Sequence, residues 1–196
     1  MSFRKILTAT LLLIALSVFA GVAHASDISF FIGAEFPGSI KNGDVKTALD
    51  NGPVYGVRFG RNFVRHLGLE HTLAFSSDFL FPSERGTCAD VAEDCSLSVE
   101  ESKGFIYSSN LMLSFPDMER MVPFLTAGAG LVHQYGDRNL PVGTKLTFNY
   151  GGGVKFPNLA GPLGGRVDFR GYRAGIFSKN VNIFEFSIGL LVSFGR

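Results

Sequence analysis

The feature that most constrains this chain is the recurrence of an apolar residue at every second position from Asp27 onward, the period of a β-strand with two different faces. The last such segment is the clearest. One face carries Phe184, Phe186, Ile188, Leu190, Val192 and Phe194, and the other carries Glu185, Ser187, Gly189 and Ser193, with Leu191 as its one bulky exception. The 24 glycines and 20 phenylalanines also exceed what a helix-rich soluble domain carries. The pattern predicts an all-β protein and excludes a helical bundle.

Eight segments show this alternation and are predicted to be strands. They span 27–36, 53–63, 67–79, 103–115, 122–134, 145–156, 164–173 and 182–194. The connections alternate in length: 37–52, 80–102 and 135–144 are long, whereas 64–66 and 116–121 are short. Outer-membrane barrels have this asymmetry, with short periplasmic turns at one rim and longer extracellular loops at the other. The chain is therefore predicted to form one all-β domain, an eight-stranded antiparallel up-and-down transmembrane β-barrel.

Alternation alone leaves open which face points inward, since a soluble lipocalin-type barrel also alternates and buries its apolar side chains. About 35 side chains share the apolar faces, whereas a closely packed eight-stranded interior takes about 12. The opposite faces are mostly small or hydroxylated, which suits a narrow lumen. We therefore expect the apolar faces to point outward into lipid. A lipocalin-type interior and a two-sheet sandwich remain the alternatives.

Aromatic residues fall at both predicted rims, which supports the outward orientation because aromatic side chains favour membrane interfaces. At the periplasmic rim lie Phe63, Phe115, Phe156 and Phe194, and at the other rim lie Tyr55, Tyr107, Tyr135 and Tyr172. The alternative is that aromatic residues are simply common in strands. The chain contains no tryptophan, which departs from the usual composition of such rims.

The polar faces carry charged residues that a barrel would enclose. They are four acids, Glu35, Glu70, Asp168 and Glu185, and four bases, Arg58, Lys155, Arg166 and Arg170. Unpaired charges are costly in a narrow interior of low dielectric constant, so this balance predicts a paired network that fills the barrel. A wide aqueous pore is not expected. The alternative is that these charges lie in water near the loops.

The last two predicted strands suggest one specific ion pair. Folding that hairpin symmetrically about its loop places Arg170 opposite Glu185, and a salt bridge between them is predicted. Two residues depart from the pattern, because Arg61 and His71 fall on the apolar face. Arg61 is close to the inner rim and can extend its charge to the lipid headgroups. His71 requires either an interfacial depth or a register in the third strand that is shifted by one residue.

Residues 1–25 have the three parts of a secretory signal peptide: Arg4 and Lys5, an apolar stretch over 6–20, and the small-residue site Ala23-His24-Ala25. A membrane anchor is the alternative, but the stretch falls short of the roughly 20 apolar residues of a spanning helix. Cleavage would leave 26–196 as the mature barrel domain.

Cys88 and Cys95 lie in the longest connection of a chain that is predicted to enter an oxidising compartment. A disulfide bond between them is therefore predicted. Metal binding is the weaker alternative, because no histidine accompanies the pair.

Charge and motifs argue against several function classes. Without Arg4 and Lys5, 16 basic residues face 17 acidic ones, so nothing attracts nucleic acid. The glycine run 151–153 is not followed by Gly-Lys-Ser/Thr and is better interpreted as a strand bend than as a phosphate loop. No Gly-x-Ser-x-Gly or His-Glu-x-x-His motif occurs. We therefore expect no cofactor, no metal site and no catalytic residue.

An enzyme that modifies lipid A is the one catalytic class with a specific rationale, since some small barrels have that activity. A deacylase of this kind would need a His-x-Ser pair on a lipid-facing strand, but His133 is followed by Gln134 and Tyr135. His71 near Ser76 is the best remaining group, although Glu70 lies on the opposite face.

Several stretches resemble the small outer-membrane β-barrel proteins, the OmpA-like and porin-family barrels of Gram-negative-type bacteria. They are Tyr55–Asn62, Gly151–Phe156, Arg166–Arg170 and Phe184–Leu190. The resemblance spans 27–194 and implies insertion by the outer-membrane assembly machinery, which recognises an aromatic-ended last strand. Gly195 and Arg196 follow Phe194, so the terminal signal departs from the family pattern.

The leading functional expectation is a non-enzymatic integral outer-membrane protein, whose barrel is a scaffold and whose loops 37–52 and 80–102 meet the outside. Its partners would be outer-membrane lipids and an unidentified external molecule. The runner-up is a narrow porin-like channel for small or apolar solutes. A lipid A modifying enzyme and a soluble ligand-binding barrel are the remaining alternatives.

Overall fold

The computed structural model describes residues 26–38, 40–42, 45–47, 50–77, 102–116, 118, 120–136, 144–175 and 181–194. The predicted signal peptide, 1–25, and the predicted disulfide, Cys88 with Cys95, lie outside these residues. In the part of the chain that the structure describes, no helix has both the length and the apolar character needed to cross a membrane.

The described residues form ten β-strands. They are β1 (Ser26–Pro37), β2 (Ile40–Asn42), β3 (Val45–Thr47), β4 (Gly52–Val64), β5 (Leu67–Ser76), β6 (Ser102–Ser114), β7 (Val122–Gly136), β8 (Thr144–Ala160), β9 (Leu163–Ala174) and β10 (Val181–Phe194). Eight of them close into an antiparallel barrel in the order β1, β10, β9, β8, β7, β6, β5, β4, with β4 pairing back onto β1. The predicted eight-stranded barrel is confirmed. The separate β2–β3 hairpin is a correction, because it lies within 37–52, which was predicted to be a loop throughout.

The two ends of the barrel differ in their connections. At one end, called the turn end here, residues 65–66, 115–121 and 161–162 join successive strands. The other end, the loop end, carries the long connections and the β2–β3 hairpin. β8 continues four residues beyond its predicted end at 156, with a register shift between Phe156 and Ala160. Asn158 and Gly161 adopt positive φ angles of 57° and 64°, which allows this tight connection to reverse the chain.

The outer wall of the barrel is apolar. Side chains on its outward face are exposed over about half their area, among them Phe30 at 58%, Ile32 at 64%, Leu111 at 57%, Phe169 at 55% and Ile188 at 51%. Phe184, Phe186 and Phe194 are also exposed and do not pack in a central core. The predicted outward orientation of the apolar faces is therefore confirmed. A water-soluble protein does not expose an apolar surface of this extent.

The glycine run in β8 allows that strand to approach β9 closely. A Cβ atom on Gly151 would lie 2.4 Å from the carbonyl oxygen of Phe169, and one on Gly153 would lie 2.1 Å from that of Val167. Both glycines are opposite β9 residues with charged inward side chains, because Gly151 pairs with Arg170 and Gly153 pairs with Asp168. The missing side chains of β8 therefore leave room in the lumen for the charged side chains of β9.

Predictions about three individual residues are wrong. Tyr172 is only 1% exposed and faces the lumen, because it shares the inward face of β9 with Arg170; it is not a rim aromatic residue. His71 lies at the middle of β5 on the outward side, since its neighbour Glu70 is fully buried in the lumen, so the register is not shifted. Its Nδ1 atom lies 3.2 Å from the hydroxyl of Tyr107, and the two rings stack. The polar imidazole is thus accommodated by a tyrosine rather than by an interfacial depth. Tyr107 itself is opposite Leu73 in the middle of the wall and is not a rim residue.

Candidate functional site: the closed interior of the barrel

The interior contains three zones along the barrel axis. A cavity opens at the turn end, a cluster of charged side chains crosses the middle, and an apolar cluster lies toward the loop end. The charged cluster consists of Arg58, Glu70, Arg166, Asp168, Arg170 and Glu185, and each of these residues is at most 1% exposed. The apolar cluster consists of Phe31, Val54, Ala74, Ile106, Val132, Tyr172, Val181 and Ile183.

Strand β9 supplies half of the charged cluster because residues two apart in a strand share a face. Arg166, Asp168 and Arg170 therefore project together into the lumen. Arg166 binds Asp168 through two nearly parallel contacts, Nε to Oδ2 at 2.7 Å and Nη2 to Oδ1 at 2.8 Å. Arg170 adds Nη2 to the same Oδ1 at 2.9 Å. Paired contacts of this kind fix the orientation of both groups and are the strongest ion pairs in proteins.

Glu70 connects β9 to the opposite wall of the barrel. Its Oε2 lies 2.6 Å from Nη1 of Arg166, and its Oε1 accepts a hydrogen bond from Nη2 of Arg170 at 2.5 Å. In the closed barrel, three strands separate β5 from β9 in either direction. These ion pairs therefore span the full diameter of the barrel. Thr72, the next inward residue of β5, accepts a hydrogen bond from Nη1 of Arg170 at 3.3 Å.

Glu185 and Arg58 complete the charged cluster. Nη2 of Arg58 donates to Oε1 of Glu185, and Nη1 of Arg58 lies 3.4 Å from Oδ2 of Asp168. Ser187 donates to Oε1 of Glu185 at 2.7 Å, and Tyr172 donates to Oε2 at the same distance. Asp168 is thus within ion-pairing distance of a guanidinium from each of the three arginines. Three positive and three negative groups cancel, which is the condition under which so many charges can be buried.

Two lumen aromatic rings support the arginines. The guanidinium carbon of Arg58 lies 3.6 Å from the ring centre of Phe31, and that of Arg166 lies 4.5 Å from the ring centre of Phe124. A cation over a ring face gains electrostatic attraction that increases when water is excluded. The rings therefore compensate part of the desolvation cost of the two arginines.

The predicted interior residues divide into three groups. Six of the eight meet in the charged cluster. Lys155 lies nearer the turn end, where its Nζ atom is 2.6 Å from Oδ2 of Asp27, an acid that the prediction omitted. Glu35 lies near the loop end and takes part neither in the charged cluster nor in the Lys155–Asp27 pair.

The predicted Arg170–Glu185 salt bridge is wrong, although the register behind it is right. The two residues are directly opposite each other in the β9–β10 ladder. Arg170 nevertheless extends across the lumen to Glu70 and Asp168, while Glu185 pairs with Arg58. Long side chains that project into a narrow lumen reach strands beyond their neighbour, so the pairing depends on the barrel's cross-section.

The cavity at the turn end has a volume of about 960 Å³. Its wall includes the Asp27–Lys155 pair, Asn62, His66 and Leu191, which is the bulky exception in the polar face of β10. Above it the charged cluster is inaccessible to solvent, so the cavity does not continue through the barrel along the described side chains.

A second histidine on the outer wall, besides His71, contacts a hydroxyl group. Nδ1 of His133 lies 2.6 Å from Oγ1 of Thr144 near the loop end, and the His133 ring stacks on Tyr135. The sequence did not reveal this pair, since the two residues lie 11 positions apart on different strands. Among the described residues, no group of three His, Cys, Asp or Glu side chains is arranged to hold a metal ion.

The barrel resembles solved structures of bacterial surface proteins. Neisserial surface protein A is 14% identical, with a TM-score of 0.60 over 87% of this chain and 97% of that one. The outer membrane protein OprG from Pseudomonas aeruginosa is 10% identical, with a TM-score of 0.58 over 89% and 97%. Ail, the attachment invasion locus protein of Yersinia pestis, is 16% identical, with a TM-score of 0.51 over 88% and 100%. No protein-family model and no curated protein matches the sequence. The chain therefore has the fold of the small eight-stranded outer-membrane β-barrels.

Proposed function

We propose that this protein is a non-enzymatic integral outer-membrane protein, whose sealed barrel is a rigid scaffold for loops that make contacts outside the cell. The observation that carries the proposal is the charged cluster that spans the barrel from β5 to β9. Side chains that are at most 1% exposed across the full diameter leave no water-filled path at that level. A barrel of this kind is better suited to supporting and displaying its loops than to transporting solutes.

The outer wall supports location in a membrane. The exposed side chains of the eight strands are mostly Phe, Leu and Ile, and burying them in lipid removes the cost of their contact with water. The backbone supports it too, because a closed barrel leaves no unpaired strand edge in the hydrocarbon layer. OprG, which has the same fold, is an outer membrane protein.

Cell fractionation combined with gel mobility tests the location. We expect the protein in the outer-membrane fraction, released only by detergent, with a folded form that migrates differently from the boiled form. Recovery in the periplasmic wash without detergent would contradict the proposal and support a soluble ligand-binding barrel.

Planar-bilayer recording tests the scaffold against the runner-up, a narrow channel. The purified protein should give little or no stepwise conductance. A variant with Glu70→Ala and Arg170→Ala should conduct better, because it removes both members of a pair that crosses the diameter without leaving a single unpaired charge. Defined conductance steps from the unmodified protein, equal to those of the variant, would favour the channel.

Loop exchange tests the external role. A producing strain and a deletion strain should differ in envelope integrity or in surface contact. Complementation with a barrel whose connection 77–101 is replaced by a short turn separates the two parts of the proposal. Loss of surface contact with normal folding assigns the role to the loops, whereas full complementation by the shortened chain would contradict a role for that loop.

An enzyme that acts on lipid is the second candidate function, because His133 and Thr144 place a base beside a hydroxyl group on the outer wall. Comparing the lipid A of strains that produce the wild type or the variant His133→Ala tests it. Identical lipid profiles in both producing strains and in the deletion strain support the non-enzymatic proposal. A modification that depends on His133 would replace it.

A further inference from the structure

Glu35 is a buried acid that takes part in none of the ion pairs formed by the described residues of the interior. It is 2% exposed, and its Oε1 atom has no hydrogen-bond partner. In the β1–β10 ladder it is directly opposite Glu185, so two carboxyl groups face each other across neighbouring strands. Like charges in directly opposed positions repel, and they do so most strongly where water is excluded.

Among the side chains that the structure describes, the neighbours of Glu35 supply no positive charge for it. Glu185 on β10 is engaged with Arg58 and Tyr172. On the other side, β4 places Gly52 opposite Glu35, with Val54 next on the same face. Ser76 on β5 directs its hydroxyl toward the carboxyl group, but its Oγ atom has no hydrogen-bond partner.

The remaining bases of the interior are already matched. Lys155 pairs with Asp27 near the turn end, and Arg166 and Arg170 pair with Glu70 and Asp168. Lys145, part-exposed at the loop end of β8, is separated from β1 by β9 and β10.

We propose that Glu35 is a proton-binding site, and that the folded barrel holds this carboxyl group in its neutral form at neutral pH. A proton is the cation that fits the site, because a metal ion would need several more oxygen ligands than two carboxyl groups and one hydroxyl supply. A neutral carboxyl group removes the repulsion from Glu185 and needs no counter-ion on an inward face where the diagonal neighbours in the ladders are Val54 and Ile183.

The site would make the loop end of the barrel sensitive to pH. Loss of the proton places a second negative charge opposite Glu185, toward the loop end, and water must enter that zone to solvate it. Alkaline conditions should therefore loosen the loop end of β1 and β10 while the charged cluster remains closed.

Infrared difference spectroscopy of the full chain, folded in detergent, tests the proton directly. At pH 7 the wild type should show the carbonyl band of a neutral carboxylic acid, and Glu35→Gln should lack it. Asp50→Asn, which changes an exposed carboxyl group near the same end, is the matched control and should keep the band. If Glu35→Gln does not fold, Glu35→Leu serves the same comparison.

The temperature at which half the protein loses its folded gel mobility gives a second test. An unfolded glutamate releases its proton at about pH 4, whereas the folded barrel keeps it, so proton release favours unfolding as the pH rises above that value. The midpoint of the wild type should fall relative to Glu35→Gln by about 3 to 5 °C per pH unit. Asp50→Asn should follow the wild type. A wild-type spectrum without the acid band, or a midpoint difference that does not change with pH, would overturn the proposal.

Discussion

We predict that the stability of the folded barrel depends on the balance of charges in the charged cluster more than on the number of ion pairs there. Asp168 is the most informative residue to change, because it is within 3.4 Å of all three arginines. The variant Asp168→Asn keeps the shape of the side chain but leaves three guanidinium groups against two carboxylates. Stranding one buried charge in this way should lower the free energy of unfolding by about 3 to 5 kcal/mol.

A second substitution should restore part of that loss. In the double variant Asp168→Asn with Arg170→Met, two matched pairs remain: Arg58 with Glu185, and Arg166 with Glu70 at 2.6 Å. Arg170→Met alone strands a negative charge and should cost as much as Asp168→Asn. The double variant should therefore be more stable than the sum of the single changes implies, by about 2 kcal/mol or more.

Urea unfolding in lipid vesicles, followed by gel mobility, measures these differences. The chain has no tryptophan, so intrinsic tryptophan fluorescence cannot report on folding. Arg173→Met is the matched control, since Arg173 is an exposed residue of the same strand, and its substitution should change stability by about 0.5 kcal/mol or less. Additive costs in the double variant, or an Asp168→Asn protein as stable as Arg173→Met, would refute the charge-balance reasoning.

Three further predictions follow from the same structure. Glu185→Ala should lower the free energy of unfolding by about 3 to 5 kcal/mol because it strands Arg58, and full retention of heat resistance on a gel would argue against the network. Gly153→Ala should destabilise or block folding, since its Cβ would meet a backbone oxygen at 2.1 Å, whereas Gly165→Ala has 3.7 Å of clearance and should fold normally; equal yields on refolding would contradict this. Ile188→Arg on the outer wall should cost about 2 to 4 kcal/mol in vesicles, and an unchanged urea midpoint would argue against its placement in lipid.

Much of the fold could be predicted because alternate residues of each strand match the two different environments that its faces contact. The alternation of Phe184, Phe186 and Ile188 with Glu185 and Ser187 needs no knowledge of distant residues, since neighbours in a strand point to opposite faces. The alternating lengths of the connections then indicate an up-and-down order. The β2–β3 hairpin was missed because it lies in a connection and does not take part in the barrel.

The sequence also predicted which charged residues face the interior, but it did not predict which of the inward side chains contact one another. Tyr172 occupies an inward position of its strand, yet its aromatic character suggested a rim residue. Phe31 and Phe124 also occupy inward positions, and their contacts with Arg58 and Arg166 were not predicted. Asp27, at the start of its strand, was not considered as a partner for Lys155. In each case the missing signal was the position of the residue along the strand, which alone indicates the face.

The amino-acid sequence by itself determined that this chain forms a two-faced sheet with an apolar outside and a balanced set of charges inside. The reason is that the face to which a side chain points depends only on its position in its own strand. The tertiary structure decided which charges meet. Arg170 passes over Glu185, its neighbour in the ladder, to reach Glu70 on the far wall, and Glu35 is left facing another acid. Such contacts depend on the diameter of the closed barrel and on the stagger of its strands, which arise only when all eight strands pair.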